Sequence, residues 1–222
     1  MKYLYETHFH TAEVSPCGHV PAEQGVKMYK QAGYSGLAVT DHISSAYLNY
    51  RYEGDTWREQ IDYFLKGYRT AKSFETEDFS VILGMELRFE EENENDYLVF
   101  GMEESFFYER ENFVSLGLKN FKALADDLGL MIIQAHPFRV GMTVSDPRYL
   151  NGIETFNGNK RHNSSNPIAA AWAEMYGLMQ TSGSDFHEKE DLAQGGVYLE
   201  RQIHTSAELR TELAAGRFEL KR

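Results

Sequence analysis

Two short motifs in this sequence place pairs of metal-ligating side chains one residue apart. The first is His8-Phe9-His10 and the second is Asp185-Phe186-His187. Side chains at positions i and i+2 of an extended strand point to the same side, so each pair can offer two ligands to one cavity. Imidazole nitrogen and carboxylate oxygen together suit Zn²⁺, Mn²⁺ or Fe. The spacing therefore indicates metal-dependent chemistry, and the single cysteine, Cys17, excludes a thiolate-rich zinc ribbon.

Three further candidate ligands come directly after or close behind short apolar runs elsewhere in the chain. They are His42, Glu86 and His136. In parallel α/β folds the carboxyl ends of the strands form one active-site face, so we expect all five segments to converge there. A lone His is more often a core or surface residue than a ligand, so the prediction rests on the ordered set.

Short β-prone runs alternate with longer segments of helical pattern along the whole chain. The strand-like runs are Lys2–Glu6, Ser35–Thr40, Phe79–Met85, Tyr97–Met102, Leu130–Ala135, Gly152–Phe156, Leu178–Thr181 and Gly196–Leu199. The helix-like stretches are Ala22–Ala32, Trp57–Phe74, Leu118–Leu128, Pro167–Tyr176 and Ala207–Ala214. Alternation predicts βαβ units in a single α/β domain over residues 1–222, as a compact barrel or, alternatively, an open doubly wound sheet. The third and fourth runs have no helical segment between them, so we expect a hairpin that makes a barrel irregular.

The charge balance and the cysteine count narrow the classes of function. The 222 residues include 22 Lys and Arg against 34 Asp and Glu, a net charge of −12. An acidic surface disfavours binding to nucleic acid and to anionic membranes. Divalent cations can reverse the local field, so a small anionic substrate is still compatible. Without an apolar run of signal-peptide or membrane-spanning length, and with one cysteine, we expect a cytoplasmic protein whose oligomeric state stays open.

The ordered motifs resemble the PHP (polymerase and histidinol phosphatase) superfamily. They are His8-Phe9-His10-Thr11, Ser15-Pro16-Cys17-Gly18-His19, Thr40-Asp41-His42, Gly84-Met85-Glu86, Ala135-His136-Pro137 and Gly183-Ser184-Asp185-Phe186-His187. The resemblance implies a distorted seven-stranded, TIM-like β/α barrel, two or three divalent metal ions, and phosphoester hydrolysis as the commonest activity. The metal ligands that it implies are His8, His10, His19, His42, Glu86, His136, Asp185 and His187.

Three positions need separate interpretation. Trinuclear family members usually supply another His after the Glu motif, where this chain has Asp96 and no His, so the presence of a third ion stays open. We interpret Cys17 as a small packed turn residue, with a thiolate ligand as the alternative. Glu154 interrupts an apolar run, and we expect its carboxylate to support a ligand or a basic group.

The resulting hypothesis is hydrolysis of a small phosphorylated metabolite, such as histidinol phosphate or a nucleotide-like compound. Two ions roughly 3.5–4 Å apart would hold a bridging water and lower its pKa. Asp185 and His187 are expected to be catalytic, with Asp185 orienting the water, and Arg139 and Arg161 would clamp the phosphate. A metal-dependent amidohydrolase and a non-catalytic metal-binding module are the alternatives.

Overall fold

A computed structural model describes residues 2–90 and 94–222 of the chain. The strands in these ranges are β1 (Tyr3–Phe9), β2 (Gly36–Val39), β3 (His42–Ile43), β4 (Ser80–Leu83), β5 (Met85–Arg88), β6 (Asp96–Phe100), β7 (Met131–Gln134), β8 (Gly152–Asn157), β9 (Met179–Gly183), β10 (Gly196–Leu199) and β11 (Phe218–Lys221). The helices are α1 (Ala22–Gln31), α2 (Ser45–Tyr50), α3 (Trp57–Phe64), α4 (Lys66–Lys72), α5 (Glu104–Glu109), α6 (Gly117–Leu128), α7 (Asn166–Tyr176) and α8 (Ser206–Ala214). None of these helices is both long and apolar enough to cross a bilayer.

The strands form two mixed sheets. The first has the order β11-β10-β1-β2-β4 and the second has the order β3-β5-β6-β7-β8-β9. Strands β1, β2 and β4 are parallel, as are β7, β8 and β9, whereas β6 is antiparallel to both of its neighbours. The structure confirms the predicted α/β fold. It also confirms the predicted hairpin, which the antiparallel strands β5 and β6 form. Residues 91–93, between these strands, lie outside the described residues.

The two sheets continue into each other where two strands bend. Two residues separate β2 from β3, and a single glycine, Gly84, separates β4 from β5. The amide of Gly84 donates to Val39 O at 2.9 Å, and the amide of Glu86 donates to Asp41 O at 3.0 Å. Backbone pairing therefore persists across both bends, which brings the ends of β2 and β4 to the start of the second sheet.

The end of β1 also meets the segment that follows β9, through an isolated parallel bridge between Phe9 and Phe186. The amide of His10 donates to Phe186 O, and the amide of Phe186 donates to His8 O, both at 3.0 Å. These bonds set the first and last sequence motifs side by side. A bridge is not a ladder, so the described strands form two sheets and the closed seven-stranded barrel stays a prediction.

Aromatic packing behind this bridge decides which side chains face inward. Phe9 and Phe186 are fully buried and stack with their ring centroids 4.9 Å apart. Tyr29 of α1 packs edge-on against both rings, at 5.7 and 5.4 Å. Alternate residues of an extended chain point to opposite sides, so the histidines and the aspartate beside each phenylalanine turn away from this packing. The hydrophobic core thus orients both motifs.

Candidate metal centre

Seven of the eight ligands implied by the sequence come together in one buried cluster, which we call the histidine–carboxylate cluster. Its members are His8, His10, His42, Glu86, His136, Asp185 and His187. They come from β1, β3, β5 and the loops that follow β1, β7 and β9. The convergence predicted from the ends of distant apolar runs is therefore what the fold produces.

The Glu86 carboxylate lies among four imidazoles. Its Oε1 is 3.1 Å from His136 Nε2, and its Oε2 is 3.1 Å from both His10 Nε2 and His42 Nδ1. His8 Nε2 lies 3.4 Å from the same Oε2. Burial alone would raise the pKa of Glu86, but His42 and His8 hold it well below its usual value. The carboxylate is therefore ionised. Its Oε1 faces His136, and its Oε2 faces the other three imidazoles.

Asp185 occupies the opposite side of the cluster. Its Oδ1 lies 3.3 Å from His8 Nε2, 3.6 Å from His10 Nε2 and 3.3 Å from His187 Nδ1. Burial would raise the pKa of this carboxyl, yet His8 and His187 hold it well below its usual value. Asp185 and His136 both have positive φ, at 51° and 31°. Such backbone costs on the order of 1–3 kcal/mol and persists where the surroundings impose it, typically at functional sites.

Glu154 of β8 supports two members of the cluster. Its Oε1 accepts from His8 Nδ1 at 2.9 Å. Its Oε2 accepts from the His136 amide at 3.1 Å and from Asn157 Nδ2 at 2.8 Å. Because the carboxylate accepts the proton on Nδ1, the His8 Nε2 lone pair is directed toward the cluster. Glu154 thus has the supporting position that its place in an apolar run suggests.

A second support runs from Asp41 through a serine to His10. The Ser15 hydroxyl donates to Asp41 Oδ1 at 2.7 Å and accepts from His10 Nδ1 at 3.2 Å. Asp41 also accepts from the amide and the hydroxyl of Thr11, at 2.8 and 2.7 Å. Burial raises the pKa of Asp41 to about 6. This chain of hydrogen bonds fixes the His10 ring with its Nε2 directed inward, and nothing in the local sequence pattern singles out Ser15 for that role.

Three imidazoles and a thiol form another group of possible metal ligands, made of His10, His42, His187 and Cys17. The His10 ring stacks on His42 and on His187, with ring centroids 4.6 and 4.4 Å apart. Burial lowers the pKa of His42 well below its usual value and that of His187 to about 3. Cys17 also belongs to this group, since one ligand atom of each of the four residues lies within 4.8 Å of the others. Burial raises the pKa of the Cys17 thiol to about 12.

Asp96 is buried beside the cluster but is already paired. Arg88 Nε and Nη2 donate to its two carboxylate oxygens at 2.7 and 2.8 Å. An oxygen of Asp96 nevertheless lies within 4.8 Å of ligand atoms of His42 and Glu86. A third metal ion would have to compete with the Arg88 guanidinium for this carboxylate. This competition is the structural consequence of having Asp96 where trinuclear family members usually have a His.

Arg139 links the cluster to a cavity of about 470 Å³ that Arg88 and Arg161 also line. Its Nη1 lies 3.7 Å from Asp185 Oδ2, and its Nη2 lies 3.7 Å from Asp96 Oδ2. Both separations exceed a hydrogen bond. The Arg139 guanidinium therefore lies where it faces both the cluster and the cavity.

The structure does not bring His19 into the cluster, and it engages Arg161 elsewhere. The His19 imidazole is 62% exposed, with its Nε2 3.8 Å from Glu188 Oε1. Arg161 donates to Glu188 Oε1 at 2.8 Å and to Asp191 Oδ2 at 2.9 Å. A phosphate at Arg161 would have to replace two hydrogen-bonded carboxylates, whereas the two carboxylates at Arg139 form ion pairs at 3.7 Å without hydrogen bonds.

Solved structures share this fold at low sequence identity. PsfC from Pseudomonas syringae is 17% identical with a TM-score of 0.68, over 93% of this chain and 86% of that protein. A two-domain protein from Bacteroides vulgatus, described as containing a predicted PHP-like metal-dependent phosphoesterase, is 16% identical with a TM-score of 0.63, over all of this chain and 65% of that protein. An amidohydrolase from Chromobacterium violaceum is 14% identical with a TM-score of 0.56, over 97% of each chain. Identities this low establish a shared fold and nothing more.

Family models give the more direct assignment. No curated protein sequence matches the chain. A model described as PHP-associated matches residues 163–218. The model of the PHP domain matches residues 6–184, which includes five of the seven cluster residues. The match extends over well more than half of the sequence, and this chain belongs to the PHP domain family.

Proposed function

We propose that this chain is a metal-dependent phosphoesterase that hydrolyses a small phosphorylated metabolite. The observation that carries the proposal is a set of buried polar atoms without hydrogen-bond partners among the described residues. The set includes His8 Nε2, His10 Nε2, His42 Nδ1 and Glu86 Oε2, whose ion pairs with one another at 3.1–3.4 Å lack hydrogen-bond geometry. Each such atom costs about 1–3 kcal/mol when left unsatisfied. All four lie in one cluster, so divalent cations placed between them would satisfy them together, and the residues fit a metal centre.

The donor atoms divide into overlapping groups that share His8. One group contains His10 and Glu86 and another contains His136 and Asp185, each completed by His8. Imidazole and carboxylate donors in this proportion suit Zn²⁺, Mn²⁺ or Fe²⁺, and Glu86 has an oxygen for each of two ions. Bound divalent ions supply Lewis acidity and a water of lowered pKa. Two or three ions are compatible with these groups.

We assign the substrate phosphate to Arg139. Its guanidinium offers donors in a planar fork that matches phosphate oxygens, and it forms ion pairs at 3.7 Å with two carboxylates without a hydrogen bond to either. The amide of Arg139 donates to His136 O at 3.0 Å, which fixes the start of the side chain beside the cluster. A phosphate bound there would lie next to Asp185, whose ionised carboxylate can orient a water for attack on phosphorus.

The cavity supports a small anionic substrate. Its volume of about 470 Å³ falls within the range of roughly 300–1,000 Å³ that is usual for small-molecule sites. Guanidinium groups line it although the whole chain has a net charge of −12. The local field thus favours a phosphorylated metabolite, while the acidic remainder of the surface disfavours a nucleic acid chain.

The test is a substrate panel with the protein loaded in turn with Mn²⁺, Zn²⁺ and Fe²⁺. We expect turnover of small phosphomonoesters that a chelator abolishes and added metal restores. Asp185→Asn should lose more activity than the about 10- to 100-fold that changes in outer partners of a metal centre cause. The matched control is Asp126→Asn, an exposed aspartate of α6 paired with Lys122, which should keep full activity.

The same panel separates the proposal from its alternatives. Hydrolysis of N-acyl or cyclic amide substrates without phosphatase activity would assign the chain as an amidohydrolase, the activity named for the Chromobacterium violaceum structure. Stoichiometric metal without turnover of any substrate would assign a non-catalytic metal-binding module. Either result contradicts the phosphoesterase proposal.

A further inference from the structure

We infer that Cys17 is a metal ligand and that, with His42 and His187, it forms a sulfur-containing subsite of the metal centre. The inference rests on the metal dependence proposed above and adds the ligand chemistry of one subsite. It does not depend on phosphate ester hydrolysis. It replaces the interpretation of Cys17 as a packed turn residue.

The first support is the arrangement of donor atoms. The Cys17 sulfur lies in a group with one nitrogen each of His10, His42 and His187, all within 4.8 Å of one another. The three imidazoles are buried. His42 Nδ1 and His10 Nε2 have no hydrogen-bond partner among the described residues. A cation bound next to the thiol would satisfy these nitrogens.

The second support is the loop that carries Cys17. The amide of Gly18 donates to Ser15 O at 2.9 Å, and the amide of His19 donates to His187 O at 2.8 Å. A side chain at position 18 would collide with backbone, because its Cβ would lie 2.6 Å from Thr11 O. The tight turn therefore holds Cys17 against the His187 segment.

The surroundings of Cys17 argue against a packing role. A cysteine that serves as a small hydrophobe belongs among apolar side chains. Among the described residues, the three hydrophobic clusters do not include Cys17. The groups around it are imidazoles, the acids beside them, and the hydroxyls of Tyr47 and Tyr52.

A thiolate gives this subsite a definite metal preference. When an ion binds, the thiol releases its proton to solvent and the sulfur donates a lone pair to the ion. Two neutral imidazoles and one thiolate favour Zn²⁺, Co²⁺ or Fe²⁺ over Mn²⁺ and Mg²⁺. With His10 assigned to the group that it forms with His8 and Glu86, three protein ligands leave one position of a tetrahedral ion open, as in catalytic zinc sites.

The test uses Co²⁺ and Zn²⁺ as spectroscopic probes on the full chain. Cys17 is the only cysteine in the sequence, so a thiolate-to-cobalt charge-transfer band can come from no other residue. We expect that band in the wild-type protein. In X-ray absorption spectra of the zinc form, we expect a sulfur atom at about 2.3 Å from the ion beside nitrogen atoms at about 2.0–2.1 Å. Cys17→Ser should lose the band and one ion per chain. The matched control His19→Ala, two residues away and exposed, should keep both.

A second variant separates loss of a ligand from loss of folding. Cys17→Asp should recover the metal count without the band, with the loading preference shifted from Zn²⁺ toward Mn²⁺. The inference is overturned if the wild type shows no sulfur signal, if Cys17→Ser keeps the wild-type metal count and preference, or if His19→Ala loses the ion instead. Failure of the phosphoesterase proposal is distinguishable, because it would leave the sulfur signal in a protein that does not turn over phosphomonoesters.

Discussion

Replacing Glu154 by Gln tests how the fold prepares His8 for a metal. Three donors point at this carboxylate, from His8 Nδ1, the His136 amide and Asn157 Nδ2. A Gln side chain has one oxygen, and two of the three donors lie at the Oε2 position. The amide oxygen will therefore take that position and direct its NH₂ group at His8 Nδ1. His8 must then accept at Nδ1 and carry its proton on Nε2, which blocks the nitrogen that faces Glu86 and Asp185.

The size of the effect follows from the hydrogen bond that is lost. A hydrogen bond to a charged partner contributes about 1.5–3 kcal/mol. At 1.36 kcal/mol for each factor of ten, this corresponds to metal binding that is about 10- to 150-fold weaker. The value agrees with the loss of about 10- to 100-fold seen when outer partners of metal ligands are changed elsewhere. Activity at saturating metal should recover in part, because the ligand itself is still present.

Competition with a chelator measures the Zn²⁺ affinity, and activity is followed as metal is added back. Glu212→Gln is the matched control, since Glu212 is equally buried but bonds to Arg201 and Arg217, far from the cluster. It should lower the melting temperature and leave the metal affinity unchanged. If Glu154→Gln binds Zn²⁺ as tightly as the wild type, the argument from the His8 tautomer is refuted.

Three further outcomes are expected. Arg139→Ala should lower kcat/KM for a phosphomonoester by about 10- to 150-fold in steady-state assays, because a charged hydrogen bond to phosphate is lost, with metal content unchanged. In the metal-free protein burial lowers the pKa of His10, but neighbouring carboxylates outweigh it and raise it from 6.5 to about 9. The free energy of unfolding that protonated His10 contributes is fully present below pH 6.5. In denaturant titrations with chelator, it should fall by on the order of 3 kcal/mol as the pH rises to about 9. Saturating metal should remove this dependence on pH. Gly183→Ala places a Cβ 2.5 Å from His8 Cβ and 2.8 Å from Glu154 Oε1, so both melting temperature and Zn²⁺ affinity should fall.

The sequence predicts the cluster well because two simple rules act together. Period-two alternation directs both residues of each paired motif to one side, and parallel topology brings strand ends to one face. The strand boundaries were less predictable. The first run was expected to end at Glu6, but β1 continues to Phe9 and buries His8 within the strand. Hydrophobicity patterns treat His as polar and end the strand there, whereas neighbouring carboxylates make the imidazole compatible with burial.

Tertiary contacts decide the features that the sequence did not predict. One helix was expected over Trp57–Phe74, and the structure has α3 and α4, meeting at Leu65. Just after this junction Gly67 lies directly on Thr11 and Asp41, where any side chain would collide with both. Family motifs likewise do not determine which residue of the loop after β1 turns inward. That depends on the turn at Gly18, which only the folded loop reveals.

Buried acids also explain how the end of β1 is held to the segment after β9 where the structure has a single bridge and no ladder. Glu6 Oε1 accepts from the Ser184 amide at 2.8 Å and from the His8 amide at 2.9 Å, across the gap that a single bridge spans. Asp41 joins the end of β2 to the loop after β1 in the same way. Side-chain carboxylates thus take the place of strand-to-strand hydrogen bonds, and they do so directly behind the metal ligands. The carboxylates that join these segments are therefore next to those that orient the imidazoles, so we expect a change that weakens this junction to weaken metal binding as well.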